Sequence, residues 1–444
     1  MRDALGLDLT GATPTALEHY ERSVHELQCF IGDPVGSVEQ AIAAAPGFVM
    51  AHVMKGYLYG LATERAATAV AADVYSAAAK LGGTERERAH VAALGKLAGG
   101  RWHEASAALE DIAIEHPRDA LALQAGHQID FFTGNARLLR DRVARALPEW
   151  SEGMPGHHAL LGMHAFGLEE SGDYARAEAV GRRAIAIEPR DGWAQHAVAH
   201  VMEMQSRQRD GIRWMREEAR DWAQESFLQV HNWWHLALFH YDLGEAGEVL
   251  QLFDGPIYGS RSTLALNMVD ASAILWRLWL GGADVGERWQ ELAANWAAKG
   301  ATGYAFNDAH AMMAFVGAGL SGPAAALLAA QREAIAGEGD NAAFTRDVGH
   351  PVTLAIHAFG EGNYREAARL LKPIRGIAHR FGGSHAQRDF IDLTLIEASL
   401  RAGEALARAL AAERVDARPA SPLSRLFVER ARTLATMAGQ HLSK

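Results

Sequence analysis

A chain of 444 residues with 49% hydrophobic content is long enough to bury a substantial core. Its 43 Lys and Arg against 54 Asp and Glu leave a net charge of -11 with no basic cluster, which argues against nucleic acid or an anionic membrane as a partner. A single cysteine, Cys29, excludes an intramolecular disulfide and a cysteine-rich metal site, whereas the 21 histidines stand out because His is neither a strong helix former nor a residue that cores readily accept.

The opening MRDALGLDLTGATP lacks the basic stretch and apolar run of a signal peptide, and no later run reaches the roughly 18 apolar residues of a membrane span. A cytoplasmic protein in a reducing compartment is therefore expected. Helix formers dominate, period-2 alternation is rare, and Gly or Pro interrupts at regular intervals, so the fold class is all-α. Residues 1–45 are expected to form one or two capping helices, with Pro34 and Pro46 marking breaks. Ala51 to Leu81 reads as a degenerate helical hairpin. Turn-like positions then follow at Gly100, Gly134, Gly172, Ser206, Gly244, Gly282, Gly322, Gly362 and Gly403, at intervals from 34 (Gly100 to Gly134) to 41 (Gly362 to Gly403). A period in this range means stacked hairpins, each unable to bury its apolar face alone. The clearest unit, LLGMHAFGLEESGDYARAEAVGRRAIAIEPRD, places Ala177, Ala184 and Pro189 at fixed offsets from Gly172; Ala105, Ile112 and Pro117 follow Gly100 in the same way, and Ala367 and Ile374 follow Gly362. Small residues there let paired helices approach closely, and the proline ends the second helix. The expected organisation is thus a repeat array over 46–412 between the N-terminal caps and a C-terminal part, 413–444, in which Glu413 to Pro422 connects to a final helix.

The stretch from Trp193 to His240 carries the densest chemistry. In HAVAHVMEM, His196, His200 and Glu203 stand at i, i+4 and i+7, within about 60° on one helical face. That spacing offers two imidazoles and a carboxylate to one divalent metal, although Ala197 stands where a zinc protease would carry its general base. In HNWWHLALFH, His231 and His235 repeat the i, i+4 pair, with Trp233 and Trp234 between them as an apolar wall; His240 lies roughly 140° away from His235 and is left out. The alternative is that these histidines and tryptophans pack between helices and hydrogen-bond to neighbouring hairpins.

Later in the chain, FNDAH supplies Asn307, Asp308 and His310, where helix capping competes with a binding role for Asp308. Asp270, on an apolar helix with Trp276 and Trp279, needs a histidine or arginine partner. GGSHAQRD presents Ser384, His385, Gln387, Arg388 and Asp389 at a helix start, which suits a carboxylate or phosphate; the alternative is a capping turn with an Arg388 salt bridge to the next helix. His196, His231, His235, Asp270, His310 and His350 all fall some 9 (His235 to Gly244) to 13 (His231 to Gly244) residues before their turns, in the opening half of the first helix of five consecutive hairpins. A tightly curved array would bring them to one concavity.

The segments HAVAHVMEMQ, HNWWHLALFHYDLG, VDASAILWRLWLGG, FNDAHAMMAFVGA and GGSHAQRD together resemble the tetratricopeptide repeat protein 38 family, over about Phe48 to Pro422. The resemblance implies a curved α-solenoid of about nine to ten tetratricopeptide-like hairpins. It also implies a set of motif positions, here His196, His200, Glu203, His231, Asn232, Trp233, His235, Asp270, Asn307, Asp308, His310, His385, Gln387, Arg388 and Asp389. It implies no particular reaction. Most units lack the aromatic positions of the repeat consensus, which weakens a routine peptide-binding reading.

The function expected is that of a small-molecule enzyme. His196, His231, His235, Asp270, Asp308 and His310 are its catalytic candidates, and Trp233, Asn307, His385, Gln387 and Arg388 its substrate-binding candidates. His196, His200 and Glu203 are the expected ligands of a divalent metal such as zinc, and the favoured chemistry is metal-assisted hydrolysis of a small anionic substrate. Metal-free acid and base catalysis is one alternative, and a scaffold whose groove binds a peptide is the other. Homo-oligomerisation is left open.

Overall fold

The computed structural model describes residues 1–301 and 303–442. The protein is all-α: among the described residues, extended pairing is limited to the isolated bridges Arg2–Asp8 and Ile31–Ser226. None of the described helices is long and apolar enough to cross a membrane.

The chain opens with α1 (Pro14–Cys29) and α2 (Pro34–Ala44). Each starts on a proline, whose fixed φ suits the first helical position, and Thr13 and Asp33 accept from the backbone as N-caps. A first hairpin, α3 (Val49–Gly60) and α4 (Arg65–Ala78), lies where a degenerate one was expected. Paired helices follow: α5 (Glu85–Ala98), α6 (Trp102–Glu115), α7 (Ala120–Phe132), α8 (Ala136–Ala146), α9 (His157–Glu170), α10 (Tyr174–Ile187), α11 (Gly192–Met204) and α12 (Gln208–Trp222). The rest are α13 (Gln229–Asp242), α14 (Ala246–Leu252), α15 (Ala265–Leu280), α16 (Arg288–Lys299), α17 (Ala305–Gly317), α18 (Ser321–Ile335), α19 (Asp340–Phe344), α20 (His350–Gly360), α21 (Tyr364–Leu371), α22 (His385–Arg401), α23 (Leu406–Ala417) and α24 (Pro422–Leu442).

Gly100, Gly134, Gly172, Ser206, Gly244, Gly282, Gly362 and Gly403 all hold a positive φ between paired helices, as the turn spacing predicts. Gly322 does not. It lies inside α18, and the left-handed residue is Gly319 (φ 70°). The Leu320 N–H returns to the Phe315 carbonyl at 2.8 Å, so the chain reverses before Gly322 is reached. At the other end α23 continues through Ala417, so the connection to α24 starts later than the expected Glu413.

By contact density the chain divides into two compact units. The first comprises Met1–Val201, Glu218–Asn232 and Glu338–Asn341. Helix α7 is buried nearly all round and α9 at every position, whereas α10 buries only Ala177, Gly181 and Ala184. Gly167 is required on α9 because a Cβ there would lie 2.4 Å from the Leu139 carbonyl oxygen. Buried charged groups tie paired and successive helices together. Arg142 donates to Asp130 (2.9 Å), which also accepts from Ser106 (2.5 Å), and Asp119 takes both Arg86 and His90 while capping α7. Glu218–Asn232 is tied to the end of α1 through Gly32 N–H to Glu225 C=O and Phe227 N–H to Phe30 C=O, each 2.9 Å.

The second unit comprises Met202–Glu217, Trp233–Gly337 and Ala342–Lys444. Here α15 and α17 are the deeply buried helices. Their polar groups are satisfied from neighbours: Trp276 donates to Thr394 (2.9 Å), Trp296 to Ser272 (3.0 Å), and the buried Arg277 guanidinium to the Ala273 and Ala386 carbonyls while lying over the Trp234 ring.

Candidate functional site

In the first unit, α9, α11 and the opening of α13 assemble a cluster of imidazoles. Asp191 caps α11 by accepting from Ala194 N–H (2.9 Å), and Asn232 of α13 donates to the Gly192 carbonyl (3.2 Å), which fixes the two helix starts against each other. The ring of His196 then lies 4.4 Å from that of His200 and 4.8 Å from that of His231. The Nε2 atoms of His196 and His231 are 3.1 Å apart. Phe166 stacks on His196 at 5.1 Å and Trp193 packs beside it at 4.7 Å, forming an apolar wall. His196 and His200 are fully buried and His231 is half-buried.

Two carboxylates join this cluster from α9. Glu169 places Oε2 3.4 Å from Nδ1 of His200, and Glu169, Glu170 and His200 offer ligand atoms within 4.8 Å of one another. The ligand atoms of His196, His200 and His231 meet the same limit, so His200 belongs to both groups. Two imidazoles on one tetrahedral ion at roughly 2.0–2.1 Å each sit about 3.3–3.4 Å apart, so the Nε2–Nε2 separation of 3.1 Å is close to that value, and it is equally the length of an N–H···N hydrogen bond.

Glu169 and Glu170 escaped the sequence reading, which took Glu203 as the carboxylate of the set. GLEESGDY reads as the solvated end of a helix, yet Glu169 is 0% exposed. Glu203 lies in the second unit, where its two oxygens are 3.5 Å from Nδ1 of His235 and 3.5 Å from Arg418. His235 is buried beside Trp234, and Trp233 is half-buried.

On α17, Asn307, Asp308 and His310 are all buried. The expected capping role of Asp308 is not met: the N-cap is Tyr304, without a side-chain bond, and Asp308 sits in the first turn instead. His310 donates from Nδ1 to the Phe306 carbonyl (2.8 Å) and packs against Phe306 and Phe390; burial pushes its pKa down to about 3, so the ring is neutral. Asp270 is buried on α15, and His350 bonds Gln331 (3.0 Å).

At GGSHAQRD the structure gives a capping turn beside a cavity. Ser384 accepts from Gln387 N–H (3.2 Å) and Gln387 Oε1 accepts from Ser384 N–H (3.0 Å), so the Gln387 oxygen is committed to the cap. Arg388 donates back to the Gly383 carbonyl, and the salt bridge to the next helix belongs to Asp389, which holds Arg414 through both oxygens at 2.7 and 2.8 Å. Burial alone would raise the Asp389 carboxyl, but the charges of Arg414 and Arg418 outweigh it and hold it below the usual range. His385 and Arg388 line a cavity of about 450 Å³ with His379, Arg375, Arg414 and Arg418, facing the carboxylates Asp389, Asp392 and Glu413. Four guanidiniums against three carboxylates suit an anionic ligand group.

No family model matches the chain.

Proposed function

We propose that this protein is a metal-dependent enzyme that hydrolyses a small anionic molecule. The observation that carries this reading is the convergence of His196, His200 and His231 with Glu169 against the nitrogen of one of them. His196, His200 and His231 would hold a divalent ion, and such an ion would supply an activated water for hydrolysis. Glu169, with Oε2 3.4 Å from Nδ1 of His200, would stand behind that imidazole as a carboxylate supports a ligating histidine, and Glu170 would be the nearby base for the water's proton. Separately, the second unit holds an arginine-lined cavity at Arg388 and His385 that suits an anionic ligand of its own. The paired helices are read as tetratricopeptide-like hairpins of a curved solenoid akin to the tetratricopeptide repeat protein 38 family, working in the cytoplasm.

Elemental analysis of untagged protein, before and after chelation, tests the proposal. Near-stoichiometric zinc or another divalent ion that chelation removes, together with loss of hydrolytic activity towards phosphate or carboxylate esters, supports it. Protein that takes up no metal on reconstitution, yet stays folded, overturns it and leaves a packing role for the histidines.

A further inference from the structure

We infer that the first unit holds a second, independent metal site, formed by His25, Cys29 and His158 and selective for zinc. It does not rest on the site at His196. His25 and Cys29 stand one turn apart at the end of α1, and His158 is the second residue of α9. Both ring nitrogens of His25 lie 3.9 Å from the Cys29 sulfur, and Nε2 of His158 lies 4.0 Å from it. One ligand atom from each of the three falls within 4.8 Å of the others.

The orientation of His158 is the decisive detail. Its Nδ1 bonds Asp191 at 2.8 Å, so that nitrogen carries the proton and Nε2 turns its lone pair towards Cys29. A carboxylate behind a ligating imidazole is the usual outer-shell support of a metal site, and Asp191 is itself fixed, because its other oxygen caps α11. Arg190 approaches Nε2 of His25 at 3.4 Å, which leaves Nδ1 as that residue's ligand atom. Tetrahedral zinc with ordinary bond lengths spaces sulfur and nitrogen by about 3.6 Å, so the two sulfur–nitrogen separations need to close by only a few tenths of an ångström. One thiolate with two imidazoles is a borderline-soft set that favours zinc over magnesium or calcium. His25 and His158 also line a cavity of about 450 Å³ shared with Glu188 and Met154, through which an ion would reach them. A fully buried thiol is poorly placed to attack a substrate, so a ligand role fits Cys29 better than a nucleophilic one. Binding forms the metal–sulfur bond and releases the thiol proton to solvent.

Cobalt(II) is the probe. Metal-stripped, reduced full-length protein is titrated with cobalt and followed in the near ultraviolet, where thiolate-to-cobalt charge transfer absorbs; Cys29 is the chain's only cysteine, so the band can report no other residue. The expected result is a saturable band that zinc displaces, that is lost in Cys29→Ser, that weakens at least tenfold in apparent affinity in His25→Ala, and that persists in His200→Ala. His25→Ala covers the case in which Cys29→Ser fails to fold, as judged by helical circular dichroism. Wild-type protein that is folded and binds cobalt without this band, or binds none, overturns the inference.

Discussion

The Nε2 atoms of His196 and His231 face one another at 3.1 Å across two helices whose turns, Ser206 and Gly244, belong to successive hairpins. Two imidazole nitrogens at this distance either share one proton or share one ion. Replacing His196 by Ala separates the alternatives. If the pair serves an ion, bound metal falls from near-stoichiometric to trace levels while stability drops by no more than about 1–3 kcal/mol, as for a buried side-chain truncation. Elemental analysis and urea unfolding of the same sample measure both quantities, and unchanged metal content with a large stability loss would make the contact structural.

Glu169 acts through His200 in this reading. Glu169→Gln keeps the volume and a hydrogen-bonding group but removes the charge behind Nδ1, so metal affinity should fall about 10–100-fold without loss of the fold. Competition against a chelator indicator measures the change. An affinity equal to wild type would detach Glu169 from the site.

His310 is buried and neutral, with its pKa depressed to about 3, whereas in the unfolded chain it titrates near 6.5. Its folded pKa is the lower one, so between those values the unfolded state binds the extra proton. The contribution of His310 to stability is therefore complete above about pH 6.5 and is lost as pH falls towards 3. His310→Gln should flatten the fall in urea-derived stability between pH 6.5 and 4, by up to about 1.4 kcal/mol per pH unit. A profile parallel to wild type would count against a neutral buried ring.

Arg388 and Arg414 line the same cavity but differ in their commitments, since Arg414 is fixed by both oxygens of Asp389. Arg388→Ala should weaken binding of inorganic phosphate by about tenfold, the cost of one charge-assisted contact, with little effect on melting. Arg414→Ala should lower the melting temperature because Asp389 loses its partner. Calorimetric titration alongside thermal melts distinguishes the two, and equal phosphate affinity in wild type and Arg388→Ala would remove Arg388 from the ligand.

The helices and nearly all of their turns were legible because apolar periodicity and glycine are local signals. Gly319 was missed in favour of Gly322 because both stand in one short Gly-rich stretch, AGLSG, and only the Leu320 to Phe315 bond chooses between them. The i, i+4 histidine pairs were legible for the same local reason. What the chain brings together from a distance was not. Glu169 and Glu170 carry no mark of burial, the Asp389–Arg414 pair spans 25 residues, and Cys29 meets His158 across 129. At Ser384 and Gln387 the capping turn stood only as the alternative to anion binding, and the capping box is what formed; Asp308 had the right residue type one turn too far into its helix.

Helix α9 is buried at every one of its 14 positions, while its partner α10 buries three. Under random mutagenesis the two helices of this hairpin should therefore diverge sharply. A block of intolerance from His157 to Glu170, without the usual three- or four-residue rhythm of permitted changes, should be followed by a helix in which most positions accept substitution. Glu169 falls in the intolerant block, so a screen for survival alone would not tell its chemistry from its packing.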